Sequence, residues 1–161
     1  MKRFLQVALL LGACSTPTPL RLEVDSGDAP VPAYSRRDWG HWVDVDHDCQ
    51  DTRQEVLIAE SEIPVTLSAD GCQVLAGRWT CPYSGDVILD PRKLDIDHMV
   101  PLRAAHTAGG AAWGSAKKSA YFNDLVDPQH LIAVSYSANR SKGDRGPTEW
   151  LPPNPQARCK Y

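Results

Sequence analysis

Asp97 and His98 stand side by side in LDIDHMVPL, residues 94–102, and Asn139 follows in SANRSKGD, residues 137–144. An imidazole is the side chain whose ordinary pKa lies nearest neutrality, so His98 suits a general base. Asp97 offers an anionic oxygen and Asn139 a neutral one, the donors that hard divalent cations such as Mg²⁺ prefer. Arg140, Lys142 and Arg145 lie beside Asn139 and can bind phosphate oxygens. These are the parts that hydrolysis of a phosphodiester beside one Mg²⁺ or Mn²⁺ requires. A base deprotonates water, a Lewis acid acts on the phosphoryl and leaving oxygens, and cations meet the developing charge.

The elements that must position these groups can be read from periodicity. A strand over LDIDHMV puts Asp95, Asp97 and Met99 on one face and Ile96, His98 and Val100 on the other. RQEVLIAES, residues 53–61, predicts a short helix. CQVLAGRWT reads as a hairpin turning at Ala76-Gly77, and SGDVILDP ends in a turn before the DIDH strand. After Pro101 two helices are expected, broken at Gly109-Gly110, the second capped by Ser115 with Ala120, Tyr121 and Leu125 on its buried face. HLIAVS, 130–135, predicts a buried strand, and SANRSKGDR, 137–145, a helix stopped by Gly143. Pro147, Pro152, Pro153 and Pro155 imply an irregular end. The order is strand, helical insertion, strand, helix.

DIDHMVPL, DPQHLIAVS and SANRSKGD together resemble the HNH, or His-Me finger, endonucleases, in particular the exported GmrSD C-terminal-like branch. CQDTRQEVL, GCQVLAGRWTCPYSG, YFNDLVDPQ and EWLPP also look like stretches of those small secreted nucleases, so the resemblance spans residues 38–160. It implies an α+β fold: a small single domain with a ββα-metal core, a helical insertion and disulfides. It also implies metal-dependent hydrolysis of nucleic acid, DNA first, with Asp97 and Asn139 holding the ion and His98 as the base. Position 130 is usually an Asn that orients the base and holds the loop. Here it is His130, whose neutral ring can still donate one hydrogen bond. Proteins of this kind are expected to continue beyond Tyr161 with a final supporting strand or helix.

The first residues read as a targeting segment. Lys2 and Arg3 precede FLQVALLLGA, which is too short for a membrane span, and LLGAC resembles a bacterial lipobox. Residues 1–13 are therefore expected to be a lipoprotein signal peptide, with lipid on Cys14. Residues 14–37 would be a flexible tether, and residues 38–161 the nuclease-like domain. The expected location is the exported side of a bacterial cell envelope, with the membrane as partner through the lipid and no obligate protein partner. Cys49, Cys72, Cys81 and Cys159 then remain, an even number suited to an oxidising compartment. The strands read around Ala76-Gly77 favour Cys72–Cys81, leaving Cys49–Cys159, a long loop whose closure would stabilise by about 4–5 kcal/mol. Close C-x-x-C pairs of the kind that hold zinc are absent from the sequence. Charge is uneven. Residues 91–161 carry ten Lys and Arg against six acids, and residues 14–90 carry five Arg against fourteen acids. A phosphate-rich partner would be drawn to the second half.

One further stretch can bind a cation. DVDHDCQDTRQE places Asp44, Asp46, Asp48 and Glu55 at positions one, three, five and twelve of a Ca²⁺ loop, with Cys49 where such loops carry glycine. That stretch sustains an alternative, a non-catalytic, Ca²⁺-stabilised envelope lipoprotein using the same scaffold for binding. His106 is expected to be exposed or helix-capping, His41 and His47 structural, and Trp79, Trp113 and Trp150 packing residues.

Overall fold

In the computed structural model, which describes residues 30–161, the first α-helix begins where the sequence supplies a cap. The Asp51 side chain accepts the Gln54 N–H, and α1 runs Thr52–Glu60. Four short strands follow as two antiparallel pairs, β1 (Thr66–Leu67) with β2 (Val74–Ala76) and β3 (Trp79–Thr80) with β4 (Val87–Ile88). β5 (Leu94–His98) leads into α2 (Leu102–Thr107), a 3₁₀ turn at Gly110–Ala112 and α3 (Ser115–Phe122). The chain returns as β6 (Leu131–Ser135) and turns directly into α4 (Tyr136–Lys142), which Gly143 ends at φ 60°. The architecture is a small α+β fold of three two-stranded sheets with helices against them.

The central sheet is β5 paired antiparallel with β6, from Leu94 opposite Ser135 to His98 opposite Leu131. Every residue of β6 is buried, as its continuous apolar run implies. Leu94 and Ile96 join Leu131–Val134, Val56, Leu57, Trp79, Tyr83 and Trp150 in the main core. The edge of β6 is closed by a side chain: the Ala133 N–H donates to the Glu60 carboxylate at 2.8 Å. A second core holds Trp39, Leu102, Ala105 and Phe122, with Trp42 packed against both cores. Packing starts ahead of the boundary expected at residue 38. Val31–Tyr161 forms one compact unit, in which Tyr34 packs against the second core and the Pro32 carbonyl bonds the buried His106. The expected signal peptide and the lipid site at Cys14 lie outside the described residues, as does most of the expected tether.

Several expectations are corrected. CQVLAGRWT does not fold back on itself; β2 pairs with β1 and β3 with β4. Gly77 is where the chain passes between these hairpins, because a Cβ there would lie 2.5 Å from the Trp79 ring. Cys72 and Cys81 are therefore not cross-strand neighbours. Cys72 follows the β1–β2 turn beside the acidic loop, and the disulfide joins it to Cys49, Cα atoms 5.1 Å apart. Cys81 is a free, buried thiol whose sulfur accepts the Ser135 N–H at 3.2 Å, and Cys159 is free and exposed. Neither expected pairing, Cys72–Cys81 or Cys49–Cys159, is formed. Ser115 is the first residue of α3 rather than its cap, and Lys118 and Phe122 are its buried residues, whereas Ala120 and Leu125 are exposed. His106 is buried, 3% exposed, with Nε2 bonded to the Pro32 carbonyl. Trp79 and Trp150 are core residues.

Candidate active site

His98 ends β5 where the two cores meet, and it is 7% exposed. Its Nε2 lies 3.0 Å from the Phe122 carbonyl. A carbonyl only accepts, so Nε2 carries the proton and Nδ1 keeps its lone pair, with no protein partner among the described residues. Trp42 and Tyr121 lie nearly parallel to the ring, centroids 5.8 and 6.2 Å away. Burial in this aromatic box pushes the imidazole pKa down to about 3, against the Phe122 bond, so the ring is neutral at physiological pH. His130 does not bond to His98. Its Nε2 donates to the Tyr121 carbonyl at 2.7 Å, and its ring meets the His98 ring edge-on at 5.5 Å. Two consecutive carbonyls at the end of α3 thus each hold one imidazole. His130 can thus bear on His98 through that α3 terminus and through the edge-on ring contact.

On the other face of β5, Asp97 is 6% exposed and both its oxygens are engaged. Lys142 Nζ, fully buried, lies 3.0 Å from Oδ1 and 2.9 Å from Oδ2, and also donates to the His98 carbonyl at 3.0 Å. The Tyr83 hydroxyl donates to Oδ2 at 2.7 Å. Burial pushes the Asp97 carboxyl above the usual range, opposed by the Lys142 ammonium and the Tyr83 hydroxyl. One turn earlier on α4, Asn139 Nδ2 donates to Asp95 Oδ2 at 3.0 Å. The strand alternation read from the sequence therefore holds, with Asp95 and Asp97 both facing α4.

Asp95, Asp97, His98 and Asn139 line one cleft of about 620 Å³. Toward a cation Asp95 and Asn139 offer oxygens, which suit a hard divalent ion, whereas both Asp97 oxygens already accept from Lys142 or Tyr83. Asn139 Oδ1 has no hydrogen-bond partner among the described residues, and Asp95 is the cleft carboxylate that no cation pairs. The sequence put Asp95 on the right face but gave it no role, and nothing local in the sequence marked Tyr83. The expected phosphate-binding trio is corrected. Lys142 is consumed by Asp97. Arg140 lies over the Tyr136 ring, 3.7 Å from its centroid, and Arg145 bonds back to the Lys142 and Ser141 carbonyls. Neither Arg140 nor Arg145 lines the cleft; its guanidinium groups come from Arg36, Arg53 and Arg103 instead.

The acidic loop forms a cluster of its own. Asp44, Asp46 and Asp48 can place oxygens within 4.8 Å of one another. Cys49 takes the left-handed conformation at φ 75°, so the turn that glycine would supply is made without it. Asp44 accepts the His47 and Cys49 N–H groups. Glu55 Oε2 is buried without a partner among the described residues, and burial together with Asp46, Asp48, Asp44 and Asp51 raises its carboxyl pKa.

The chain is similar to an uncharacterized secreted protein of Arthroderma benhamiae, 38% identical over 133 residues. That stretch is 82% of this chain and 63% of the relative, so the chain spans less than two thirds of the relative's length. No protein-family model matches the chain, and no solved structure matches it. Among the described residues no helix is long and apolar enough to cross a membrane.

Proposed function

We propose that the chain is a metal-dependent endonuclease of the HNH, or His-Me finger, type that hydrolyses nucleic acid phosphodiesters, DNA first. Its ββα core would be β5, β6 and α4. The observation that carries this reading is His98, a neutral imidazole with Nε2–H tied to the Phe122 carbonyl and Nδ1 unpartnered, in a cleft that also gathers Asp95, Asp97 and Asn139. Asp97 and Asn139, joined by Asp95, would hold Mg²⁺ or Mn²⁺, Asp97 only through the lone pair of Oδ1 that its bond from Lys142 leaves. The ion would supply Lewis-acid stabilisation of the phosphoryl oxygens and the leaving oxygen.

The protein's own groups do the rest. His98 Nδ1 takes the proton of the attacking water, and the Phe122 carbonyl keeps the ring in the tautomer that leaves Nδ1 bare, although the burial that keeps the ring neutral also makes it a weaker base than a free imidazole. Lys142 and Tyr83 hold the Asp97 carboxylate in place from behind. The cleft arginines attract the phosphate backbone. Export is supported by the Cys49–Cys72 disulfide and by the secreted description of the Arthroderma protein. Lipid anchoring in a bacterial envelope rests on the LLGAC motif.

A supercoiled-plasmid nicking assay tests the reading. Cleavage with Mg²⁺ or Mn²⁺ that EDTA abolishes is expected; no cleavage with either ion would sink it. The alternative of a non-catalytic, Ca²⁺-stabilised binding protein is favoured by one observation, the Asp44, Asp46, Asp48 cluster beside the unpartnered Glu55 oxygen. On that alternative Ca²⁺ raises the melting temperature and no ion gives nicking.

A further inference from the structure

Of the arginines at the cleft, Arg53 is held unlike the others. It is the second residue of α1, and its Nη2 donates to two backbone carbonyls at once, Pro91 O and Leu94 O, each at 3.0 Å. Those carbonyls flank the start of β5, immediately before Asp95. A guanidinium offers five N–H donors in a fixed fork, and two bonds to carbonyls leave three. Those three have no protein partner among the described residues, and no carboxylate lies within ion-pair distance of the group. Arg103 is paired with Asp144, whereas Arg36 donates to the Gly40 carbonyl and lies over the Phe122 ring, 4.1 Å from its centroid. Outside the cleft, Arg78 and Arg92 are paired with Glu62 and Asp90.

A half-buried cation, immobilised by its backbone partners and left without a counter-charge, is short of an anion. Its plane is already fixed, so binding one would cost little side-chain entropy, and the Nε–H and Nη1–H groups left free can each donate to a phosphate oxygen. We propose that Arg53 is the phosphate-gripping residue of the cleft. It takes a non-bridging phosphate of a nucleic acid strand and sets the strand's register against β5. This rests on the nuclease reading, and it gives to α1 the role that the sequence had assigned to the cations of SANRSKGDR. Arg53 is a binding and positioning residue here, with no part in proton transfer.

The test is metal-free binding of a short fluorescein-labelled oligonucleotide in EDTA, read by anisotropy across a salt series. It compares the full protein with Arg53→Gln, Arg53→Lys and the control Arg78→Gln, each checked by circular dichroism for an unchanged fold. Losing a charge-assisted contact predicts roughly 10–100-fold weaker binding for Arg53→Gln. The salt slope should fall by about 0.7–0.9, and Arg78→Gln should match the parent. Arg53→Lys keeps the charge without the carbonyl-anchored guanidinium, so it should keep the slope and lose affinity severalfold. It also carries the test should Arg53→Gln not fold.

Arg53 variants that bind like the parent, in a protein that cleaves with Mg²⁺ or Mn²⁺, overturn this inference and leave the nuclease reading standing. Binding that depends on Arg53 in a protein that never cleaves upholds the phosphate grip and removes the nuclease. A parent protein that binds no oligonucleotide overturns the inference outright.

Discussion

Removing the ammonium of Lys142 tests the polar centre on which the candidate site is built. Lys142→Met keeps much of the side-chain volume but strips Asp97 of contacts at 3.0 and 2.9 Å and takes a side-chain donor from the His98 carbonyl. What remains for Asp97, 6% exposed, is one hydrogen bond from Tyr83. Breaking a buried pair by removing one partner costs about 3–5 kcal/mol, a large part of the 5–15 kcal/mol typical of a domain. Replacing both members costs far less, so Asp97→Asn/Lys142→Met should recover most of the loss. The pH dependence follows from the sign of the shift. Without Lys142 the Asp97 carboxyl rises further above its unfolded value, so the deficit is full at neutral pH and shrinks as acid protonates Asp97. Urea unfolding at neutral pH, followed by tryptophan fluorescence with the disulfide intact, measures this. A Lys142→Met loss below about 1 kcal/mol, or a double variant as unstable as the sum of the single ones, would refute the reasoning.

Two further outcomes are expected. Burial raises the Glu60 carboxyl to about 7, opposed by the Ala133 N–H, in a hollow that Glu55 and Asp127 also line. Its folded pKa lies above the unfolded one. Its contribution is therefore complete below the unfolded carboxyl pKa and is lost as pH rises through about 7. Glu60→Gln, which keeps the acceptor for Ala133, should gain about 1–2 kcal/mol over wild type at pH 8 after solvent screening is allowed for, and nothing at pH 4. Equal melting curves at pH 8 would contradict this. Reducing the Cys49–Cys72 bond, with a sequence separation of 23, should cost about 3 kcal/mol, and peptide mapping should find that link with Cys81 alkylated only after unfolding.

The sequence made the local grammar of the site legible and its long-range partners much less so. α1, β5, β6 and α4 fall close to where periodicity and the Gly143 stop put them. The alternation of β5 put Asp95 and Asp97 on one face and His98 on the other; the structure turns the first face to α4 and the second to the aromatic side. The SANRSKGDR cations were misjudged because α4 packs onto β5 and buries Lys142, which a local charge count cannot register. The hairpins were misread because CQVLAGRWT fits a two-strand pattern equally well alone or with outside partners. The choice is made by β1 and β4, and the disulfide follows from it. Tyr83 and Arg53 reach the site from 14 and 41 residues away along the chain, through Asp97 and the Leu94 carbonyl, and no spacing rule relates such distances.

The most direct test of the central claim is plasmid cleavage by His98→Ala with Mg²⁺ or Mn²⁺, set beside its Mn²⁺ affinity by titration calorimetry. Cleavage slower by about 10²–10⁴ with metal affinity kept is expected. Cleavage at the parent rate would show that the His98 imidazole is not the base.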